Sequence, residues 1–421
     1  MFGRTDKFLK NNFHSLYHRN YRLFFIGQLV SLTGTWMQVM AQAWLVYTIT
    51  NSPFKLGVVS VIQFFPTMIL AMFAGVFVDK FQKKNILILT QILSMLQAFA
   101  LFALAYFNII QFWHILVLAS VLGCTNALDA PARQSYVIEL VGRKDVVNAI
   151  GLNSAIFNVA RIVGPAIAAI MMTGIGTAWC FFLNGLSFIG VIIALLMIKH
   201  DFDKESAAVK KEIKILRDVK DGFSYIYRTP ILFKTSLIVL FFTTFGFNYN
   251  VLIPVFAKTV LGLKEKGFGF LLSSLGVGSL IGALSVSIKM KSGPKTRTLV
   301  VSCILVGATL FLLGFTRNSL ITAFLLGLCG MFNLWFFTNA NSILQLYSTD
   351  EYRGRVMSVY MMVFAGTMPV GNFISGYIAE KIGAAAAFSI AGAIIFVVIL
   401  LFHAIRGSSR LTDNQNSNNP S

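Results

Sequence analysis

Long apolar runs separated by short charged segments are the feature that most constrains the fold of this sequence. Of its 421 residues, 56% are hydrophobic and only 12% are charged. A helix that crosses a bilayer needs about 20 mostly apolar residues, so this apolar content is enough for about twelve crossings. A soluble domain could not bury so much apolar surface. The sequence therefore predicts an all-α membrane protein with twelve transmembrane helices.

The apolar runs form two sets of six, each run bounded by charged residues or by Gly, Pro or Asn. The predicted spans are 21–49, 53–77, 85–107, 112–131, 146–172 and 176–198, then 231–257, 267–288, 298–315, 319–346, 356–379 and 384–404. The predicted domains are a cytoplasmic tail (1–20), a six-helix bundle (21–198), a cytoplasmic linker (199–230), a second six-helix bundle (231–405) and a disordered cytoplasmic tail (406–421). Residues 132–145 are predicted to form a loop.

The placement of Lys and Arg predicts the orientation. Most of the 35 basic residues lie in the tails, the linker and alternate loops, which share one side of the membrane. The positive-inside rule puts these segments, and both termini, in the cytoplasm. This asymmetry explains the net charge of +19 without a nucleic-acid partner. We expect a multi-pass protein of the cell membrane.

The sequence offers little for enzyme or metal chemistry. Its four cysteines stand alone in apolar runs, with no C-x-x-C pair or Cys/His cluster. The P-loop, G-x-S-x-G and H-E-x-x-H motifs are missing. We therefore expect neither an enzyme nor a bound cofactor or metal.

A weak internal repeat relates the two halves. With an offset of 210, Gly57 aligns with Gly267 and residues 71–79 align with 281–289, while an offset of 204 aligns Pro165 with Pro369. Small residues at matching places would let helices pack closely. The repeat predicts two pseudo-symmetric bundles.

Polar residues on one face of the first span predict a wall of an aqueous pathway. Their steps of three and four keep them on one side of a helix. They are Gln28, Ser31, Thr35, Gln38 and Gln42. The alternative is hydrogen bonding between helices.

Arg161 is a cation well inside the fifth span, accompanied by Ser154 and Asn158 and followed by Pro165. Because an unpartnered buried cation is costly, Arg161 is expected to face a cavity, a carbonyl cluster or an anionic substrate group. A structural clamp is the alternative. In the second half, Asn248 and Asn250 interrupt the seventh span, and polar residues mark the tenth, where interhelical bonding is again the alternative; these are Trp335, Thr338, Asn341, Ser342 and Gln345.

All 16 acidic residues lie at predicted span ends or in loops. A proton-coupled exporter commonly uses a carboxylate that is neutralised in one access state. Coupling of transport to an ion gradient would therefore depend on Asp79, Asp129 or Glu139, or on the charge of the substrate.

The loop Gly75-Val-Phe-Val-Asp79-Lys80-Phe-Gln-Lys83-Lys84 resembles the G-x-x-x-D-[RK]-x-x-[RK]-[RK] loop of the major facilitator superfamily. The resemblance implies that Gly75 permits close helix approach, that Asp79 meets a helix N-terminus, and that the three lysines pair with Asp129 in a cytoplasmic gate. Plain positive-inside anchoring is the alternative. In the second half, Lys289 stands where the first has Asp79.

Three further stretches extend the resemblance, and two of them are similar to the superfamily subgroup that includes the bacterial enterobactin exporter and drug-efflux proteins. Ala160-Arg161-Ile-Val-Gly164-Pro165 is similar to the G-x-x-x-G-P exporter motif, with Ala160 in place of the first Gly. The other stretches are 19–25 and 128–134, the latter containing Asp129 and Arg133. The resemblance covers residues 15–405 and adds Arg133, Gly164 and Pro165 to the expected gating residues.

The resemblance implies a secondary active transporter that exports a small amphiphilic organic compound, drug-like or siderophore-like, by alternating access driven by the proton gradient. Its expected partners are the substrate, membrane lipid and protons, and we expect a monomer. The expected substrate-binding residues are the five polar residues of the first span together with Asn158, Arg161, Asn248, Trp335 and Asn341. Arg161 is expected to contribute to binding or to the change of state. The alternatives are a lipid or lysolipid flippase on the same fold and a non-transporting membrane receptor or scaffold.

Overall fold

The computed structural model describes residues 14–198, 215–289 and 296–416, and within these ranges the regular structure is helical, with no strand. Residues 1–13 of the predicted first tail, 199–214 of the linker and 417–421 of the last tail lie outside them. Apolar runs of this length become helices because a membrane gives backbone groups no other hydrogen-bond partners.

The first half contains six long helices after a short 3-10 turn, His14–Tyr17. They are α1 (Arg19–Thr50), α2 (Pro53–Lys80), α3 (Lys83–Tyr106), α4 (Phe112–Gly142), α5 (Lys144–Gly174) and α6 (Ala178–Met197). The helices α4 and α5 form one helical stretch broken at Gly142, whose φ of +71° suits a residue without a side chain.

The second half begins with a linker helix and continues with seven more helices. They are α7 (Ile215–Arg228), α8 (Pro230–Phe245), α9 (Tyr249–Thr259), α10 (Glu265–Lys289), α11 (Thr296–Leu313), α12 (Ser319–Leu346), α13 (Asp350–Ile382) and α14 (Ala384–Asn416). The break predicted at Asn248 is present between α8 and α9, whereas Asn250 lies inside α9. Helix α14 continues into the predicted C-terminal tail.

In the described residues, eleven helical segments are long and apolar enough to cross a membrane, counting α8 with α9 as one. The twelfth predicted span corresponds to a shorter apolar segment, Ala384–Leu400. The predicted loop at 132–145 is wrong, because α4 continues to Gly142. Its charged residues suggested a loop, but Arg133 is one turn from Asp129 and pairs with it, so the charges are held on a continuing helix.

The chain divides into two compact units. The first comprises residues 1–213 with 263–276, and the second comprises 214–262 with 277–421. The first twelve residues of α10 therefore group with helices of the first half, a division that the apolar pattern alone does not contain.

Glycines allow close contacts between helices in both units. In the first unit, a Cβ on Gly123 of α4 would overlap the Gln63 carbonyl oxygen of α2. In the second unit, a Cβ on Gly278 of α10 would overlap the Gly327 carbonyl oxygen of α12. Small residues thus bring equivalent helix pairs together in both halves.

Candidate functional site

The polar stripe on α1 faces the interior of the first unit. The Gln38 amide donates to Gln97 Oε1 of α3 (3.0 Å) and accepts from Asn184 Nδ2 of α6 (2.8 Å). Gly34, one turn earlier, leaves room for Asn184, since a Cβ there would lie 2.6 Å from Asn184 Oδ1. These bonds join three helices, so Gln38 follows the interhelical alternative.

Three other members of the stripe, Gln28, Ser31 and Gln42, are also buried. In this structure protein covers these three side chains, and their lining of an aqueous pathway stays a prediction. Thr35 is half-buried, and its hydroxyl donates to the Ser31 carbonyl oxygen (2.9 Å). A helical face that is polar along its length matches either a cavity or a polar packing seam, and here packing accounts for most of it.

Arg161 lies on a half-exposed aromatic surface of the first unit. Its guanidinium carbon is 5.9 Å from the centre of the Trp36 ring, within the range of a cation–π interaction. Trp36 meets Phe157 edge to face at 5.6 Å, and Phe157 is 45% exposed. We call Trp36, Phe157 and Arg161 the Arg161 surface. The side chain of Asn158 lies outside the described part of the structure.

Gly164 positions this surface. A Cβ at Gly164 would lie 2.6 Å from Trp36 Cβ and 2.9 Å from the Thr33 carbonyl oxygen, so only glycine allows α5 to approach α1 this closely. Pro165 follows inside α5, where it removes a backbone donor. The Gly-Pro pair therefore fixes how Trp36 of α1 meets Arg161 of α5.

The start of α10 packs against α5 in an antiparallel arrangement. A Cβ on Gly269 would overlap Ala169, and one on Gly276 would lie 2.8 Å from Ile162 Cγ1. Each helix thus advances seven residues, in opposite directions, between the two contacts. The spacing of Gly269 and Gly276 is visible in the sequence, but a partner for these glycines is not.

Trp44 joins α1 to the same part of α10. Its indole stacks on Phe268 at 5.4 Å, and its Nε1–H donates to Glu265 Oε1 (3.0 Å). Sequence reasoning missed this pair, because a tryptophan near a span end is usually explained by the membrane interface.

The polar residues expected in the second unit bond to neighbouring helices or within their own helix. Asn248 is buried, and its amide donates to the Thr244 carbonyl oxygen (2.7 Å) and to Ser375 Oγ (2.8 Å). Trp335 Nε1 donates to Ser285 Oγ (2.6 Å), and Asn341 accepts from Gln345. Asn248 therefore ties the α8–α9 break to α13, as its interhelical alternative states, while Trp335 and Asn341 remain half-buried.

An aromatic cluster beside that break was not predicted. Phe247 meets Phe337 of α12 at 5.4 Å, and Phe337 meets Phe364 of α13 at 5.3 Å, all three being half-buried. Phe247 lies between α8 and α9, where the break turns its ring toward the other two. A phenylalanine in an apolar run carries no signal of such a role.

The lysines of the loop between α2 and α3 act as contacts between helices of the first unit. Lys83 Nζ pairs with Glu139 Oε1 of α4 (2.8 Å), and Lys84 Nζ donates to the Ile198 carbonyl oxygen after α6 (2.8 Å). The expected pairing of these two lysines with Asp129 is therefore not present. Lys80 is exposed, whereas the surroundings of Gly75 and the side chain of Asp79 lie outside the described part of the structure.

Asp129 is a buried carboxylate within α4. It accepts hydrogen bonds from Thr90 Oγ1 (2.9 Å) and Gln91 Nε2 (2.8 Å) of α3 and from Arg133 Nε (3.0 Å). Its position one turn before Arg133 allows the ion pair. Among the described residues, no group of three or more His, Cys, Asp or Glu side chains is arranged to hold a metal.

Comparison with known proteins places the chain among transporters. Relatives include a staphyloferrin A transporter of Staphylococcus aureus, 27% identical over 93% of this chain and 97% of the relative. The multidrug efflux pump Tap of Mycolicibacterium fortuitum is 23% identical over 87% of this chain and 90% of its own. Macrolide efflux protein A of Streptococcus pyogenes is 21% identical over 89% and 93%.

The fold is similar to that of solved transporters. The nucleoside transporter NupG superposes with a TM-score of 0.75 over 91% of this chain and 98% of that chain, at 11% identity. The family described as transmembrane secretion effector matches residues 10–420. The protein is thus a multi-pass membrane protein and not an enzyme, and the chain belongs to the transmembrane secretion effector family of major facilitator superfamily transporters.

Proposed function

We propose that this transporter exports a small amphiphilic organic compound across the cell membrane by alternating access, driven by the proton gradient, with both termini in the cytoplasm. The observation that carries the proposal is the Arg161 surface, in which a cation inside a membrane span lies against the Trp36 ring and Trp36 meets Phe157. A charged residue at membrane depth is costly and marks a functional site by default.

The chemistry of this surface suits a substrate with an apolar body and an anionic or carbonyl group. The guanidinium would bind the oxygen atoms, since Arg presents several donors in a fixed plane. The faces of Trp36 and Phe157 would contact the apolar part. The relatives support export of such compounds, because one is a siderophore transporter and others are drug-efflux pumps.

We propose Asp129 as the carboxylate that couples transport to protons. It is buried and bonded to Arg133, Thr90 and Gln91, whereas Glu139 is half-buried and paired with Lys83. Uptake of a proton by Asp129 would remove the charge that holds Arg133. Because Thr90 and Gln91 of α3 donate to the same carboxylate, this event would also change the contact between α3 and α4.

Transport assays in proteoliposomes test the role of Arg161. The probes are a fluorescent aromatic carboxylate and its neutral methyl ester, compared in wild type, Arg161→Gln, Arg161→Lys and the control Arg317→Gln. We expect Arg161→Gln to lower transport of the carboxylate about tenfold, because a hydrogen bond to a charged group contributes about 1.5–3 kcal/mol. The ester should be affected less, and Arg161→Lys should lose less than Arg161→Gln.

If a folded Arg161→Gln protein transported the carboxylate and the ester to the same extent relative to the wild type, that result would contradict the role of Arg161. An imposed proton gradient, collapsed by a protonophore, tests the coupling separately. Transport that persists at full rate without the gradient would exclude proton drive. Tags at the two ends of the chain in intact cells test the orientation, since either tag accessible from outside would overturn it.

A further inference from the structure

The second unit contains a cavity of about 460 Å³ between the linker helix α7, the beginning of α8 and the middle of α13. Such a volume is in the range of sites for small molecules. Most of the surrounding side chains are apolar, including Phe223 and Tyr227 of α7, Phe233 and Leu237 of α8, and Val363 of α13. The transport mechanism proposed above makes no use of this cavity.

The cavity lies where the charged linker meets a membrane span. Helix α8 begins its apolar run at Pro230, directly after α7 ends at Arg228. The rings of Phe223, Tyr227 and Phe233 are 43%, 74% and 38% exposed at this level. Exposed aromatic rings at the boundary between membrane and water are typical of contact with the lipid interface.

The cavity wall formed by α7 is held in place by α13. Tyr225 stacks on Tyr352 at 4.4 Å, and its hydroxyl accepts the Thr349 backbone N–H (3.2 Å). The hydrogen bonds with Thr349 lower the pKa of the Tyr225 hydroxyl from its ordinary value. Asp221 Oδ2 lies 3.8 Å from Arg355 Nη1, so the carboxylate next to the cavity pairs with a basic residue of α13. Helix α7 is therefore attached along one face, and its other face borders the cavity.

The cavity has a basic residue and a buried hydroxyl in its lining. Lys220 lines the cavity, and Arg228 is exposed at the end of the same helix. Ser236 of α8 also lines it, and its buried hydroxyl has no hydrogen-bond partner among the described residues. A buried polar group of this kind is usually satisfied, so the hydroxyl has capacity for a polar atom of an occupant.

We propose that this cavity binds an anionic phospholipid. One acyl chain occupies the apolar interior, and the headgroup phosphate binds Lys220 and Arg228. An ester carbonyl oxygen accepts a hydrogen bond from the Ser236 hydroxyl. The apolar walls require a chain that a free phosphate lacks, and the basic residues favour an anionic headgroup over a zwitterionic one. The site is separate from the Arg161 surface and does not depend on the identity of the exported compound.

Photocrosslinking of the full-length protein tests the proposal. The protein is placed in phosphatidylcholine nanodiscs containing a trace of phosphatidylglycerol with a diazirine on one acyl chain, and labelled peptides are mapped by mass spectrometry. We expect labelling of α7, α8 and α13 around the cavity. Lys220→Gln and Arg228→Gln should each lower the labelling about fivefold, since one basic residue near an anionic lipid headgroup changes the affinity by about that factor.

Leu237→Trp, which fills the cavity, should abolish this labelling. The matched controls are Leu320→Trp, at a leucine that is 69% exposed on another helix, and Lys264→Gln/Lys266→Gln, at two exposed lysines. In both control proteins, the probe should label α7, α8 and α13 to the same extent as in the wild type. Labelling that survives Leu237→Trp overturns the cavity as the binding site. Equal labelling by a phosphatidylcholine probe, or no effect of either charge variant, overturns anionic selectivity.

Discussion

The turn between α2 and α3 in the first unit and the junction of α7 with α13 in the second are stabilised by different chemistry. Near the first, Lys83 of α3 pairs with Glu139 of α4, and Asp129 pairs with Arg133 one turn along α4. At the second, stacked tyrosines dominate, and the ion pair between Asp221 and Arg355 is long at 3.8 Å. Around the turn between α2 and α3, the ion pairs give each charged side chain a specific partner. At the junction of α7 with α13, the tyrosine stack attaches α7 along a single face and leaves an apolar cavity beside it.

The largest effect is expected at Asp129. Replacing it with alanine leaves Arg133, Thr90 and Gln91 without their shared acceptor, which should lower the free energy of unfolding by about 3 kcal/mol. Thermal unfolding of the purified protein in detergent measures the change. The double variant Asp129→Ala/Arg133→Ala should recover part of the loss, since it removes the unpaired cation. An unchanged melting temperature in Asp129→Ala would show that this network does not stabilise the unit.

A smaller effect is expected at the junction of α7 and α13. Tyr225→Ala removes the stack with Tyr352, and an aromatic pair contributes about 1 kcal/mol. The expected result is faster proteolytic cleavage within α7 with little change in the overall melting temperature. Tyr225→Phe keeps the stack and loses only the bond to Thr349, so its cleavage should lie close to that of the wild type. Equal cleavage of Tyr225→Ala and wild type would mean that other contacts hold α7.

The smallest effect is expected at Lys83. Its pair with Glu139 is partly exposed to solvent, and such pairs contribute about 0.5 kcal/mol. Lys83→Gln should therefore lower the melting temperature only slightly, and the loss should shrink at high salt. The charge exchange Lys83→Glu/Glu139→Lys should restore stability. A large fall in the melting temperature of Lys83→Gln would mean that this pair stabilises the protein as strongly as the Asp129 network, and not as weakly as a surface ion pair.

The sequence was sufficient for the helical membrane fold, because apolar length and charged boundaries are local properties. It also indicated the break at Asn248. It failed at 132–145, where Arg133 and Glu139 suggested a loop although their partners keep them on a helix. The pair of Lys83 with Glu139 joins residues far apart in the chain, and hydropathy contains no information about such a contact.

The candidate site shows the same limit. The spacing of Gln28 and Gln38 placed them correctly on one face of a helix, but spacing cannot distinguish a watery cavity from a buried polar seam. Arg161 was identifiable because a cation within an apolar run is unusual at any position. Phe247 was not, because an aromatic residue in an apolar run is ordinary and its role depends on its neighbours in space.

The packing of Trp44 gives the protein a native optical reporter. Among its five tryptophans, Trp44 is the one with a buried side chain, only 5% exposed, stacked on Phe268 and bonded to Glu265. Separation of α10 from α1 would place the indole in a wetter environment and shift its emission to longer wavelength. Its spectrum could thus follow that helix contact in real time, without any attached dye.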